Sequence, residues 1–223
     1  MTRVTPRTRR SEALSRERIV EAAIELLDTV GEDRLTFKVL TERLATGAGA
    51  IYWHVANKGE LLDAATEAVI AAALTIEPAG SPRADIHAVA LALFEAIDEH
   101  PWLATQLALQ LSRSPSGTVT PRIFESIGRR VSALDVPEST LFTASSALMH
   151  YILGAAGQNA ANARFLGPDG DRAEFLAAAS KAWEALDPEE YPFTRAIAAQ
   201  MRDHDDREQF LAGIDLILTG IRS

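Results

Sequence analysis

Leu35-Thr36-Phe37-Lys38-Val39-Leu40-Thr41-Glu42-Arg43-Leu44-Ala45-Thr46-Gly47-Ala48-Gly49-Ala50-Ile51-Tyr52-Trp53-His54-Val55-Ala56-Asn57-Lys58 is the stretch on which the reading of this chain turns. Phe37, Leu40 and Leu44 recur at helical spacing behind Thr36, a residue type that caps helix starts. Ala45-Thr46-Gly47 is short enough for a tight turn, and a second short helix is predicted over about 48–55. Two short helices across such a turn can cross steeply and project the second into a major groove. Ala48, Gly49 and Ala50 would let that helix approach closely, and its N-terminus adds partial positive charge. Tyr52 and His54 can donate to phosphate oxygens, and Lys58 supplies a full charge. Ile51 and Val55 are spaced to pack inward. Trp53 is read either as core packing or as part of the contact surface.

Working outward, helix is the one periodicity in the chain, and no repeat is evident. Ser15 is placed to cap a helix over about 16–30, ended by Gly31. Asn57 is placed to cap a helix reaching about Leu74. The Glu77-Pro78-Ala79-Gly80-Ser81-Pro82 run is the best linker candidate. Beyond it helices are predicted at roughly 83–99, 101–112, 120–133, 137–163, 171–185, 193–203 and 205–221. The expected organisation is a basic tail at 1–14, a unit at 15–62 that carries the helix pair, a connecting helix at 63–76, and a larger acidic helical domain at 77–223.

The composition fits an all-α protein with a sizeable core. The 223 residues are 47% hydrophobic and 24% charged, which argues against a largely disordered chain. The absence of cysteine excludes disulfides, thiolate metal sites and cysteine nucleophiles. No apolar run approaches the roughly 18 residues of a membrane span, and no apolar segment follows the basic start. A soluble, cytoplasmic protein with no membrane partner is therefore expected.

A net charge of −9 looks unsuited to a nucleic-acid partner until it is divided along the chain. Residues 1–60 hold ten Lys/Arg against nine Asp/Glu, whereas residues 61–223 hold twelve against twenty-two. Arg3, Arg7, Arg9 and Arg10 open the chain with no acid among them. That tail reads equally as an idle solvated end or as an arm onto DNA. Local asymmetry matters more to a partner than the overall balance.

The run Ile51-Tyr52-Trp53-His54-Val55-Ala56-Asn57-Lys58-Gly59-Glu60-Leu61-Leu62-Asp63, behind the Ser15 helix and the Leu35-Thr36 segment, resembles the DNA-binding domain of the tetracycline-repressor family. It is most similar to the tetracycline repressors proper over about residues 15–70. The final segment from Phe210 to Ile221 resembles that family's last helix. The resemblance implies an N-terminal three-helix helix-turn-helix domain and a C-terminal helical domain. It further implies a homodimeric regulator, most readily a repressor, that leaves palindromic operator DNA when a small-molecule effector binds. By position, Lys38 matches a base or phosphate reader and Thr36 a capping residue. Ala48, Gly49 and Ala50 match the base-facing helix start, and Tyr52, His54 and Lys58 match phosphate or base-step contacts. Four positions depart from the pattern. Ala45 stands at a turn glycine, Gly47 at a capping Ser or Thr, and Phe37 and Val39 at frequently polar or basic positions.

The acidic half needs a different role. Small residues from Ala144 to Gly157, and Gly213 and Gly220 in the last helix, suit close helix approach in a dimer, with Ile214, Ile217 and Ile221 on neighbouring stripes. Phe94, Trp102, Gln106, Gln110, Phe142, Met149, His150, Tyr151, Gln158 and Asn162 are read together as an effector pocket, although singly each fits a core or surface role. The resemblance places Gln158 at the acidic metal-associated position and Leu107 near the metal-binding His. A hard cation prefers carboxylate oxygen, so magnesium-tetracycline is not expected, nor any metal or cofactor. The rivals are a helical enzyme, suggested by His204 beside Asp203, Asp205 and Asp206, and a small-molecule-binding protein without regulatory DNA binding. That acidic run also suits a helix start, and no nucleophile motif or phosphate loop accompanies it, so no enzymatic activity is expected.

Overall fold

The computed structural model of the chain describes residues 14–78, 80–113, 117–167, 170–202 and 204–221. The Arg-rich tail read at 1–14 lies, except for its last residue, outside the described residues, as does Asp203. The boundary between two compact units falls between Ala68 and Val69. Among the described residues all regular structure is helical, as expected of an all-α chain.

In the first unit, α1 (Arg16–Val30) starts where the Ser15 hydroxyl accepts the Arg18 N–H at 3.3 Å. It stops at Gly31, whose φ of 79° suits a residue without a side chain. Ile19, Ala23 and Leu27 supply its buried face. A short 3-10 turn (Glu32–Arg34) leads to α2 (Phe37–Leu44), where the Thr36 hydroxyl accepts the Val39 N–H at 3.2 Å. Ala45 ends α2 in the left-handed region, with φ 49° and ψ 46°. A side chain there costs about 1–2 kcal/mol, so the missing turn glycine leaves the turn formed but strained.

The next helix, α3 (Ala48–Tyr52), is shorter than the 48–55 expected. The Ile51 carbonyl takes both the His54 N–H (2.9 Å) and the Val55 N–H (3.0 Å), which closes the helix into a turn. A new start follows at once. Asn57 Oδ1 accepts the Glu60 N–H at 2.9 Å, and Glu60 Oε2 accepts the Ala56 N–H at 2.8 Å. This reciprocal pair, close to a capping box, opens α4 (Lys58–Ala73). The boundary between the units falls within that helix.

The second unit comprises α5 (Pro82–Glu99), α6 (Trp102–Arg113), α7 (Val119–Ser132), α8 (Glu138–Leu166), α9 (Arg172–Glu184), α10 (Pro192–Ile197) and α11 (Asp206–Ile221). Leu93, Ile97, Leu103, Ile123, Leu148 and Ile214 are fully buried at its centre. The helix expected at 193–203 ends early, because its closing turn (Ala198–Met201) tightens into 3-10 geometry. No helix among the described residues is long and apolar enough to cross a membrane.

The α8–α11 contact turns on one glycine. The Tyr151 hydroxyl donates to the Phe210 carbonyl at 3.2 Å, and the Tyr151 ring lies 5.8 Å from that of Phe210. A Cβ at Gly213 would fall inside the Tyr151 phenol. Gly213, expected in a dimer stripe, makes room for a ring of its own chain. Gly213→Ala is therefore expected to lower stability by about 1–3 kcal/mol in urea unfolding, and by much less in a Tyr151→Ala background. Equal losses in both backgrounds would refute this packing account.

Burial also pushes the Tyr151 phenol above its ordinary value near 10. The folded protein keeps this proton at pH values where an unfolded tyrosine has lost it. The resulting stabilisation is complete below about pH 10 and is lost as pH rises through the raised value. Tyr151→Phe should flatten the fall of the unfolding midpoint above pH 10, and an unchanged fall would assign it to other groups.

Candidate functional site

The first unit presents α3 with its inward side fixed and its outward side bare. Ile51 and Val55 are fully buried, as their spacing predicts. Ala48, Gly49 and Ala50 are exposed, and a Cβ built at Gly47 or Gly49 meets nothing within 4 Å. This surface is flat enough for close approach to a polymer groove. A five-residue helix has only a slight dipole, so attraction to phosphate rests mainly on the side chains around it.

Those side chains are arranged by contacts the sequence does not display. The Tyr52 ring stacks on Phe37, with centroids 4.6 Å apart and planes within 7°, so Phe37 orients the phenol from beneath. Tyr52 nevertheless remains 53% exposed. Trp53 is 87% exposed, which removes the core-packing reading of this residue. His54 is half-buried and Lys38 is exposed on α2. Lys58 Nζ donates to the Glu32 carbonyl at 2.6 Å, which anchors the ammonium while leaving two N–H groups to donate elsewhere. Thr36 spends its oxygen as the cap of α2 and retains its O–H.

The ten effector candidates, all in the second unit, do not converge on one cavity. Trp102, Gln106, Gln110 and Met149 are buried. Phe94 and Tyr151 both pack on Phe210. Phe142 is 75% exposed and stacks on Phe124 at 6.0 Å, while His150 is exposed further along the same helix. Gln158 and Asn162 share the exposed side of α8, where Gln158 Nε2 donates to Asn162 Oδ1 at 2.9 Å. The physical reason for the scatter is that α8 carries both a buried and an open stripe, and the set straddles them.

Two cavities among the described residues of this unit bear on the set. One, of about 490 Å³, lies among α8, α9, the 3-10 turn and the start of α11, and Asn162 is its one residue from the expected set. The other, of about 450 Å³, includes Phe94 and Asn162. Arg172, His204 and Asp206 line both. Arg172 Nε and Nη2 donate to Asp206 Oδ2 at 3.2 and 2.6 Å, and His204 Nε2 donates to Asp206 Oδ1 at 2.8 Å. His204 and Asp206, weighed in the sequence as possible enzymatic groups, thus serve a clasp between α9 and α11. The sequence signal was the His among acids at a helix start, but its partner Arg172 lies 34 residues away.

Residues 76–223 match the family model for the tetracyclin repressor-like C-terminal domain, and residues 19–65 match that for bacterial regulatory proteins of the tetR family. The chain belongs to the TetR family. This TetR chain is 32% identical over 149 residues to an HTH-type transcriptional regulator of Saccharopolyspora erythraea, an alignment covering 66% of this chain and 62% of that regulator. It is 47% identical over 57 residues to the class C tetracycline repressor of Escherichia coli, 26% of each protein. Among solved structures, the transcriptional regulator SCO7222, a TetR from Streptomyces coelicolor, is 68% identical with a TM-score of 0.86 over 94% of this chain and 98% of that one. The chain thus spans somewhat less than two thirds of the Saccharopolyspora regulator.

The cap of α2 sets where the helix pair begins. Thr36→Ala is expected to cost about 1 kcal/mol in urea unfolding, and Thr36→Ser to be nearly neutral. Equal losses in both variants would show that the hydroxyl does not supply the cap energy.

Proposed function

We propose that this TetR-family chain is a homodimeric transcriptional repressor that binds a palindromic operator and is released from it by a small-molecule effector. The observation that carries this reading is the outward face of α3: a bare Ala48-Gly49-Ala50 start flanked by Tyr52, Trp53, His54 and Lys58, with Ile51 seated beneath it. Small residues admit the helix to the groove, while the phenol, indole, imidazole and ammonium groups meet the backbone on either side. Lys38 adds a charge from α2. Residues 15–62 form the reading head, 63–76 the link, and 77–223 the effector and dimer domain of a cytoplasmic protein.

Two protomers are needed to read two half-sites. The supporting surface lies on α8 and α11. Thr143, Ala147, His150, Gly154 and Gln158 follow one exposed stripe of α8, and Ala212, Leu216 and Gly220 one of α11. Leu216 is 76% exposed, an apolar group that a second copy of the chain would cover. An effector acts by binding unequally to two arrangements of the dimer, one of which spaces the α3 helices for successive grooves.

Gel-shift titration against the DNA upstream of the chain's own gene tests the reading. A salt-sensitive complex with an inverted repeat is expected, and its absence would refute operator binding. Tyr52→Ala should weaken the complex, and Lys58→Ala should reduce the salt slope by about 0.9 for the lost phosphate contact. An unchanged slope would remove Lys58 from the phosphate-binding set.

A further inference from the structure

We propose that the 490 Å³ cavity between α9 and the start of α11 is the effector site, and that it takes a flat aromatic anion, a carboxylate or phenolate on fused rings. This rests on the regulatory reading for the word effector, though not for the binding itself. The site differs from the pocket expected from the sequence, since it shares only Asn162 with that set.

The walls select a flat apolar body. Phe175, Leu176 and Trp183 line it from α9, and Ile197 and Met201 from α10 and the 3-10 turn. Two aromatic side chains and a thioether in the lining suit a ring system better than a flexible chain. The volume lies in the ~300–1,000 Å³ range of small-molecule sites.

The polar end selects charge. Among the described residues that line the cavity Asp206 is the one carboxylate, and both its oxygens are already engaged, Oδ1 by His204 and Oδ2 by Arg172, so a cationic ligand finds it occupied. Arg172 uses three of its N–H groups, two on Asp206 and one on the His204 carbonyl at 3.1 Å. Among the described residues its other two have no partner. Asn162 has its oxygen taken by Gln158 and presents its amide N–H groups. Gln200 and Gln209 also line the cavity and offer donor and acceptor alike, so the preference for charge comes from the two remaining Arg172 N–H groups, whose match is an oxygen anion. An anion drawing on Arg172 also competes with Asp206, the first residue of α11. Ligand charge thereby reaches the helix that bears the exposed Leu216.

Calorimetric titration of the full chain with anthraquinone-2-carboxylate tests the assignment, with 2-(aminomethyl)anthraquinone as the ring-matched cation. The anion is expected to bind at least about tenfold more tightly than the cation. Arg172→Gln should weaken it by about tenfold or more, and Ala179→Phe, which fills the cavity but keeps the clasp, should abolish it. Circular dichroism establishes that each variant is folded, and either one suffices for the test. Failure of the anion to bind, equal binding of anion and cation, or unchanged affinity in folded Ala179→Phe would each overturn the site. Operator release is scored separately. Binding in this pattern without release leaves the site standing and removes the effector reading. An operator complex that responds to other compounds, with the anion ignored, removes the site and leaves the regulator.

Discussion

Burial of the Ile51 side chain is the constraint on which the reading surface depends. A five-residue helix does not persist in water by its own hydrogen bonds, because nucleating a turn costs more than so few bonds return. α3 holds its shape since Ile51 is fully sequestered on one side, with Val55 just beyond the helix end and Leu40 on the preceding helix. Given that anchor, the remaining positions are free of packing duties. They can be as small as Ala48, Gly49 and Ala50, or as exposed as Trp53.

The terminal helix α11 is located by polar contacts of a repeated type. Asp206 at its start is held by Arg172 and His204, and Asp215 in its middle is held by Arg83 (2.6 Å) and His87 (2.9 Å). Each is an aspartate bridged by one arginine and one histidine. These groups are partly exposed, so each pair adds little to stability. Their effect is on register: a one-residue slide of α11 would break both. The strong acidity of the C-terminal unit is thus partly spent internally, on positioning one helix.

Helix positions were legible because apolar residues recur every three to four places, and that period shows through any solvent-facing substitutions. Caps at Ser15, Thr36 and Asn57 were legible for the same local reason, as each acts on a backbone N–H within three residues. The early end of α3 was not, since it depends on how the Ile51 carbonyl divides between two donors. Phe37 looked like a departure from pattern and became intelligible once Tyr52, fifteen residues on, was seen lying over it. The scattered effector set has a similar cause. Periodicity tells which residues share a stripe of α8, but only the neighbouring helices decide which stripe is covered. The Arg172–Asp206 clasp joins two helix starts that nothing in the sequence pairs.

Gly213 and Tyr151 together impose a rule on recombination. A chimera that receives its terminal helix from a related regulator must keep a bare α-carbon at 213, or else trade the phenol at 151 for something slimmer. A side chain at 213 collides with the phenol at 151 unless that ring is removed as well. The two positions thus act as a unit in packing, even though sixty-one residues of chain separate them.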